Sequence, residues 1–218
     1  MKRFLFFIVI GLYSISANAA ENIPVTARLF AGVQSIKSDD VDAVMTAQGF
    51  DKIDSLLRFG AEATYPVAGF LDAGFRYTRR WVQKADNDVS TDYLGELTQD
   101  GVGLILRVPF LRTKFLRVDA FGEYAGTNTT FSIKSASVNG KYEKKGPESW
   151  FGDSSSSYGA SVGVGYNNFL FVVEVGYENN IVDGLTASGT TASNISSMDL
   201  SGSYVSIGLV FDGVAEKR

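Results

Sequence analysis

The sequence predicts an all-β fold: an eight-stranded antiparallel up-and-down transmembrane β-barrel. Three observations predict it. Eight segments alternate apolar and polar residues with a period of two, the period of a strand whose successive side chains face opposite sides. The connections between them alternate short and long, as in a meander with tight turns at one end and long loops at the other. The chain is also rich in glycine and aromatics, with 23 Gly, 16 Phe and 10 Tyr, against 4 Pro and neither Cys nor His.

Before the strands comes a leader. Lys2 and Arg3 precede an apolar run from Phe4 to Tyr13, and Ala17-Asn18-Ala19 follows. This is the layout of a secretory signal peptide cut after Ala19. It leaves residues 20–218 as a single barrel domain. The run is too short for a spanning helix, which needs about 20 apolar residues. Removing the leader shifts the net charge from −4 to −6. That acidity argues against nucleic acid as a partner, which calls for a basic patch. Without Cys there is no disulfide or thiolate chemistry. Without His the commonest general base and transition-metal ligand are gone, and no cofactor or metal is expected.

Each strand divides into two faces. In the first, Val25, Ala27, Leu29, Ala31 and Val33 alternate with Thr26, Arg28, Phe30, Gly32 and Gln34. In the second, Leu57, Phe59, Ala61, Ala63 and Tyr65 alternate with Arg58, Gly60, Glu62 and Thr64. The third sets Leu71, Ala73, Phe75 and Tyr77 against Asp72, Gly74, Arg76 and Thr78. The fourth sets Val102, Leu104, Leu106 and Val108 against Gly101, Gly103, Ile105 and Arg107. In the fifth, Leu116, Val118, Ala120, Gly122 and Tyr124 oppose Arg117, Asp119, Phe121 and Glu123. The sixth places Tyr158, Ala160, Val162, Val164 and Tyr166 against Gly159, Ser161, Gly163 and Gly165. The seventh, Phe169–Asn179, carries Glu174 on the face of Leu170 and Val172, opposite Phe171, Val173 and Val175. The eighth sets Val205, Ile207, Leu209 and Phe211 against Tyr204, Ser206, Gly208 and Val210. Short connections fall at 66–69, 109–114 and 167–168. Long ones fall at 35–55, 79–100, 126–157 and 179–203. Pro24, Pro66 and Pro109 stand at strand ends and Pro147 in a loop, where a missing N–H is tolerated.

A soluble lipocalin-like barrel would turn the apolar set inward. Three features favour the opposite. Glycine falls almost entirely on the polar set, Gly122 excepted, where it makes room for long side chains in a narrow lumen. The charges on that set nearly balance: Arg28, Arg58, Arg76, Arg107 and Arg117 against Glu62, Asp72, Asp119, Glu123 and Glu174. Aromatics such as Tyr65, Tyr77, Tyr124, Tyr158, Tyr166, Phe169, Tyr177 and Phe211 end the apolar stripes, as interfacial girdles do. Facing the five arginines to lipid would cost about 2–4 kcal/mol for each one at the midplane. The ten charges are therefore expected to pair inside, filling the lumen. A narrow or gated pore is the alternative reading of the same residues.

In this pattern the chain resembles the small bacterial outer-membrane β-barrels of the OmpA-transmembrane-domain and OmpX type. The resemblance covers the whole chain after the leader and lies in architecture more than in a motif. It implies outer-membrane localisation, short periplasmic turns, long extracellular loops, and outer-membrane lipid and lipopolysaccharide as surroundings. Val205, Ile207, Leu209 and Phe211 are similar to the last-strand signal read by the barrel assembly machinery. That signal usually ends on its aromatic residue, whereas Asp212 to Arg218 follow Phe211 here. Some barrels of this size are lipid-A-modifying enzymes that use a catalytic His, which this chain lacks. The expected role is non-enzymatic: surface contact, adhesion or envelope integrity, through a surface ligand or partner cell met by the loops. The loops are expected to be removable without unfolding the barrel. Asp39, Asp40, Asp42 and Asp51 are expected to form a solvated acidic loop rather than a calcium loop. Lys134, Lys141, Lys144 and Lys145 suit lipopolysaccharide phosphates or a merely solvated loop. Trp150 and Phe151 are expected in the outer girdle.

Overall fold

A computed structural model describes residues 25–85, 93–113, 115–144, 152–166, 168–190 and 195–212. The leader, Pro24, Lys114, Lys145, Pro147, Trp150, Phe151, Asn167 and the tail 213–218 lie outside the described residues. The chain forms β1 (Thr26–Ser35), α1 (Asp39–Ala47), β2 (Ser55–Ala68), β3 (Leu71–Ala85), β4 (Leu94–Arg112) and β5 (Leu116–Lys134). It continues through β6 (Asn139–Lys144), β7 (Asp153–Tyr166), β8 (Phe169–Asn179), β9 (Ile181–Asp183), β10 (Thr186–Thr190), β11 (Ser197–Asp199) and β12 (Gly202–Asp212). β1, β2, β3, β4, β5, β7, β8 and β12 pair in that order, and β12 returns to β1. All these pairings are antiparallel, so the eight strands form a closed barrel with no free edge in the ring.

The faces sort as a membrane barrel requires. Leu29, Phe75, Leu104, Val164 and Val173 lie exposed on the outside. The arginines and carboxylates of the opposite parity are buried. Exposed aromatics cluster at two levels. Tyr124, Tyr158 and Tyr177 form the upper one, with the Tyr158 and Tyr177 rings 6.1 Å apart. Phe115 with Tyr166 (5.9 Å) and Phe169 with Phe211 (5.3 Å) belong to the lower. On β7 Tyr158 and Tyr166 are separated by roughly 20 Å along the axis at a rise of about 3.4 Å per residue and a tilt near 40°. That is close to the height of an outer-membrane apolar band, about 25 Å.

Three expectations need correction. The strands run past the apolar stripes: β4 and β5 each have 19 residues, so much of 79–100 and 126–134 is barrel wall rather than loop. Outside, this extension is polar, with Arg79 and Asp100 paired at 3.7 Å and Trp81 donating to Glu96 at 2.9 Å. Inside, beyond buried Arg80 and Gln99, it turns apolar, with Leu97, Phe131 and Ile133 fully buried. There the outer solvent is water, so the burial rule reverses.

The acidic first loop contains a short helix, with Asp51 exposed in the loop beyond it. Asp39, Asp40 and Asp42 occupy the first turn of α1, where acidic side chains favour the helix dipole. Val41, Val44 and Met45 face a core shared with Phe131, Tyr142, Val182 and Met198. Asp42 Oδ1 accepts the Ile53 N–H at 3.0 Å, tying the helix to the return strand. The upper connections thus form an apolar cap over the barrel rather than separate loops. β6 pairs with upper β5, β10 with β6, and β9 with β11.

The inward glycines do not all make room for long side chains. A Cβ on Gly176 would meet Tyr204 Oη at 2.6 Å, which fits that role. One on Gly74 would strike the Ala63 carbonyl of the neighbouring strand at 1.9 Å, so close backbone approach in a strongly coiled wall is the reason there. Pro66 and Pro109 sit at register shifts near the lower ends of β2 and β4, irregularities at which a residue without an N–H is accommodated.

Candidate functional site

Inward residues stack in three layers from the turn end upward. The middle layer is built around Glu174. It accepts from Arg107 Nη2 at 2.7 Å, Arg28 Nη1 at 2.9 Å, and Arg76 Nη2 and Nη1 at 2.9 and 3.0 Å. Glu62 is held by Arg107 through Nε (2.5 Å) and Nη2 (2.8 Å), and by Arg76 through Nε (2.9 Å) and Nη2 (2.6 Å). Glu123 accepts from Ser157 Oγ at 2.9 Å and Arg76 Nη1 at 3.4 Å. Arg58 comes no nearer than 3.8 Å to Glu123 and Glu174. The guanidinium of Arg58 stacks on Tyr204 at 3.8 Å, and that of Arg107 on Phe121 at 4.8 Å. Arginine suits this setting because its fork bonds two carboxylates in plane while its face stacks on a ring.

The lower layer is built around Arg117. Its Nε reaches Asp119 at 2.8 and 2.9 Å, Nη2 reaches Asp72 at 2.9 Å, and Nη1 reaches Asp212 at 3.1 Å. Arg112 also donates to Asp72, and Thr26 Oγ1 to Asp212. Asp212, beyond the terminal aromatic of the last strand, therefore turns inward and joins the first strand to the last. The upper layer was missed by sequence reasoning. Arg80 pairs with Glu178 and donates to Gln34 at 3.2 Å and to Gln99 at 3.1 Å. Asn180 Nδ2 donates to Gln99 at 2.6 Å. Arg80 and Glu178 lie two inward steps, four residues, beyond Arg76 and Glu174 on their strands, so continuing the period of two reaches both.

All ten expected lumen charges lie on the interior face and are buried. Arg28, Arg58, Glu62, Arg76, Arg107, Glu123 and Glu174 come together in the middle, and Asp72, Arg117 and Asp119 below. Val205, Ile207 and Phe211 face outward and exposed, and Leu209 outward and half-buried. Lys141 and Lys144 stand on β6, where Lys141 pairs with Glu143. Among the described residues no group of three or more metal-ligating acids converges.

No protein-family model matches the sequence, and no curated protein does. Solved structures do match. The outer membrane protein OprG from Pseudomonas aeruginosa aligns with a TM-score of 0.52 at 15% identity, over 87% of this chain and 94% of OprG. This is an outer-membrane β-barrel fold. Looser matches have the same character. Ail, the attachment invasion locus protein of Yersinia pestis, aligns at 13% identity and a TM-score of 0.48, over 87% of this chain and 97% of Ail. The N-terminal β-barrel domain of Pseudomonas aeruginosa OprF aligns at 12% identity and a TM-score of 0.44, over 87% and 96%. A closed outer-membrane barrel with an apolar exterior sits in a bacterial outer membrane, because only closed barrels cross a bilayer by strands.

Proposed function

We propose that the chain is a non-enzymatic outer-membrane protein whose lumen stays shut and whose specific contacts are made by the capped end. The observation that carries this reading is continuous filling: three ion-paired layers, then an apolar cap over the same opening. An eight-stranded barrel is just wide enough for its interior side chains. In this reading the turn end is periplasmic and the cap extracellular. The outer face of β12, with Val205, Ile207, Leu209 and Phe211, serves the barrel assembly machinery. Lys134, Lys141 and Lys144 on β5 and β6 suit contact with lipopolysaccharide or a surface ligand.

The first experiment is planar-bilayer recording of the refolded protein, with folding verified by a heat-dependent gel shift. Absence of conductance supports a shut lumen. Steady conductance that changes in Arg107→Ala would replace it with a pore. The contact role is tested on the surface: Lys141→Glu with Lys144→Glu should abolish surface attachment while the gel shift persists. Loop removal is the wrong test, because it would take away the buried core of the cap. Unchanged lipid A in a deletion strain would be expected of a non-enzyme.

A further inference from the structure

We propose that the middle of the lumen holds one small monovalent inorganic anion, seated against Arg58. The first ground is charge. The middle layer contains four arginines, Arg28, Arg58, Arg76 and Arg107, and three glutamates, Glu62, Glu123 and Glu174, all buried. It carries one excess positive charge. Arginine does not escape this by losing its proton. The opposite excess lies in the lower layer, where Asp72, Asp119 and Asp212 meet Arg112 and Arg117. That layer reaches solvent, with the Arg112 side chain 39% and that of Asp212 16% exposed. Water screens the lower excess. The middle excess is met across the layers by the buried Asp119, 3.5 Å from Arg28 Nη2 but already held by Arg117 through both oxygens, and a buried charge without full compensation is unfavourable.

The second ground is hydrogen bonding. Arg58 is fully buried, and none of its three side-chain nitrogens makes a hydrogen bond. Arg28 Nε and Nη2 also make no hydrogen bond, Nη2 being ion-paired at 3.5 Å with an Asp119 that Arg117 already holds through both oxygens. Tyr204 Oη and Ser206 Oγ, at successive inward positions of β12, are buried hydroxyls that make no hydrogen bond. The Arg58 guanidinium lies against the Tyr204 ring, and Ser206 is opposite Glu174 in the ladder. Among the described side chains, the buried unpartnered atoms are guanidinium nitrogens and hydroxyls, with no carboxylate or amide oxygen. The demand is for an acceptor. Water would supply acceptors but no charge, whereas a halide-sized anion supplies both. The inference does not depend on whether the lumen conducts, which the bilayer recording tests separately.

Chloride is the probe. The full mature chain is refolded with chloride or with gluconate at constant ionic strength, and its thermal midpoint is read by gel mobility. Binding to the folded state stabilises it by RT ln(1 + L/Kd), where L is the free chloride concentration, so a midpoint that rises with the logarithm of chloride concentration above Kd is expected. Arg58→Met makes the layer three against three and should remove the chloride dependence. Glu123→Gln enlarges the excess and should steepen it, which a merely structural arginine would not do. Crystals of the unsubstituted protein grown with bromide should show an anomalous peak beside Arg58. Equal midpoints in the two salts, a chloride slope retained in Arg58→Met, or no bromide peak at Arg58 would each overturn the proposal.

Discussion

Glu174 accepts hydrogen bonds from Arg28, Arg76 and Arg107 at 2.7–3.0 Å. Removing its charge leaves three buried arginines contesting Glu62 and Glu123. Glu174→Leu should therefore cost about 3–5 kcal/mol, the usual penalty for breaking a buried pair, seen as a lower urea midpoint. Asp212→Ala should cost less, about 1–3 kcal/mol, because Arg117 keeps Asp72 and Asp119 and the site is partly wet. At this scale parity told the sequence reader which charges go inside, since each lies an even step from its neighbour on the strand. It could not say which pair. Arg76 and Glu174 are 98 positions apart, and their meeting depends on strand stagger and on aromatic rings that steer each guanidinium.

The elements were legible where they meet lipid and illegible above it. β8 shows one face of Phe171, Val173 and Val175 and one of Leu170, Val172 and Glu174. Its outer face is clear because hydrocarbon admits only apolar side chains. Val173→Arg should accordingly cost about 2–4 kcal/mol in vesicles if Val173 lies at the midplane, measured as a shift in the urea midpoint. Above the upper tyrosines the outer solvent becomes water. The apolar face then switches from outside to inside, and a reader following one apolar stripe loses the strand. α1 was hidden for a related reason: its three core residues sit among aspartates in only nine positions. Met45→Ala should loosen the cap by about 2–5 kcal/mol. Hydrogen exchange should quicken in α1, β9 and β11 while the spanning strands keep their protection.

At the scale of the whole molecule, closure of β1 on β12 makes every spanning strand an interior strand of one ring. Cutting the ring anywhere exposes two edges to lipid, where an unpaired backbone group costs several kcal/mol. The barrel should therefore lose its structure in one step, and the heat-dependent gel shift should show no intermediate band. The closed ring was expected from the count of alternating segments. The cap was not, because its core joins the upper ends of β4 and β5, where the apolar face has switched inward, to α1, β6, β9 and β11, pieces too short to display a period of their own.

β5 carries both solvents on one strand. Its lower half turns Arg117, Asp119 and Glu123 inward and leaves Tyr124 outside, while its upper half turns Phe131 and Ile133 inward and Asn128, Thr130 and Ser132 outward. A slip of one residue flips every side chain of a strand. Here it would strand charges in hydrocarbon and phenylalanine in water at the same moment. Misthreading is thus rejected by two unrelated penalties at opposite ends of a single rod, and alignment is proofread twice before the barrel can close.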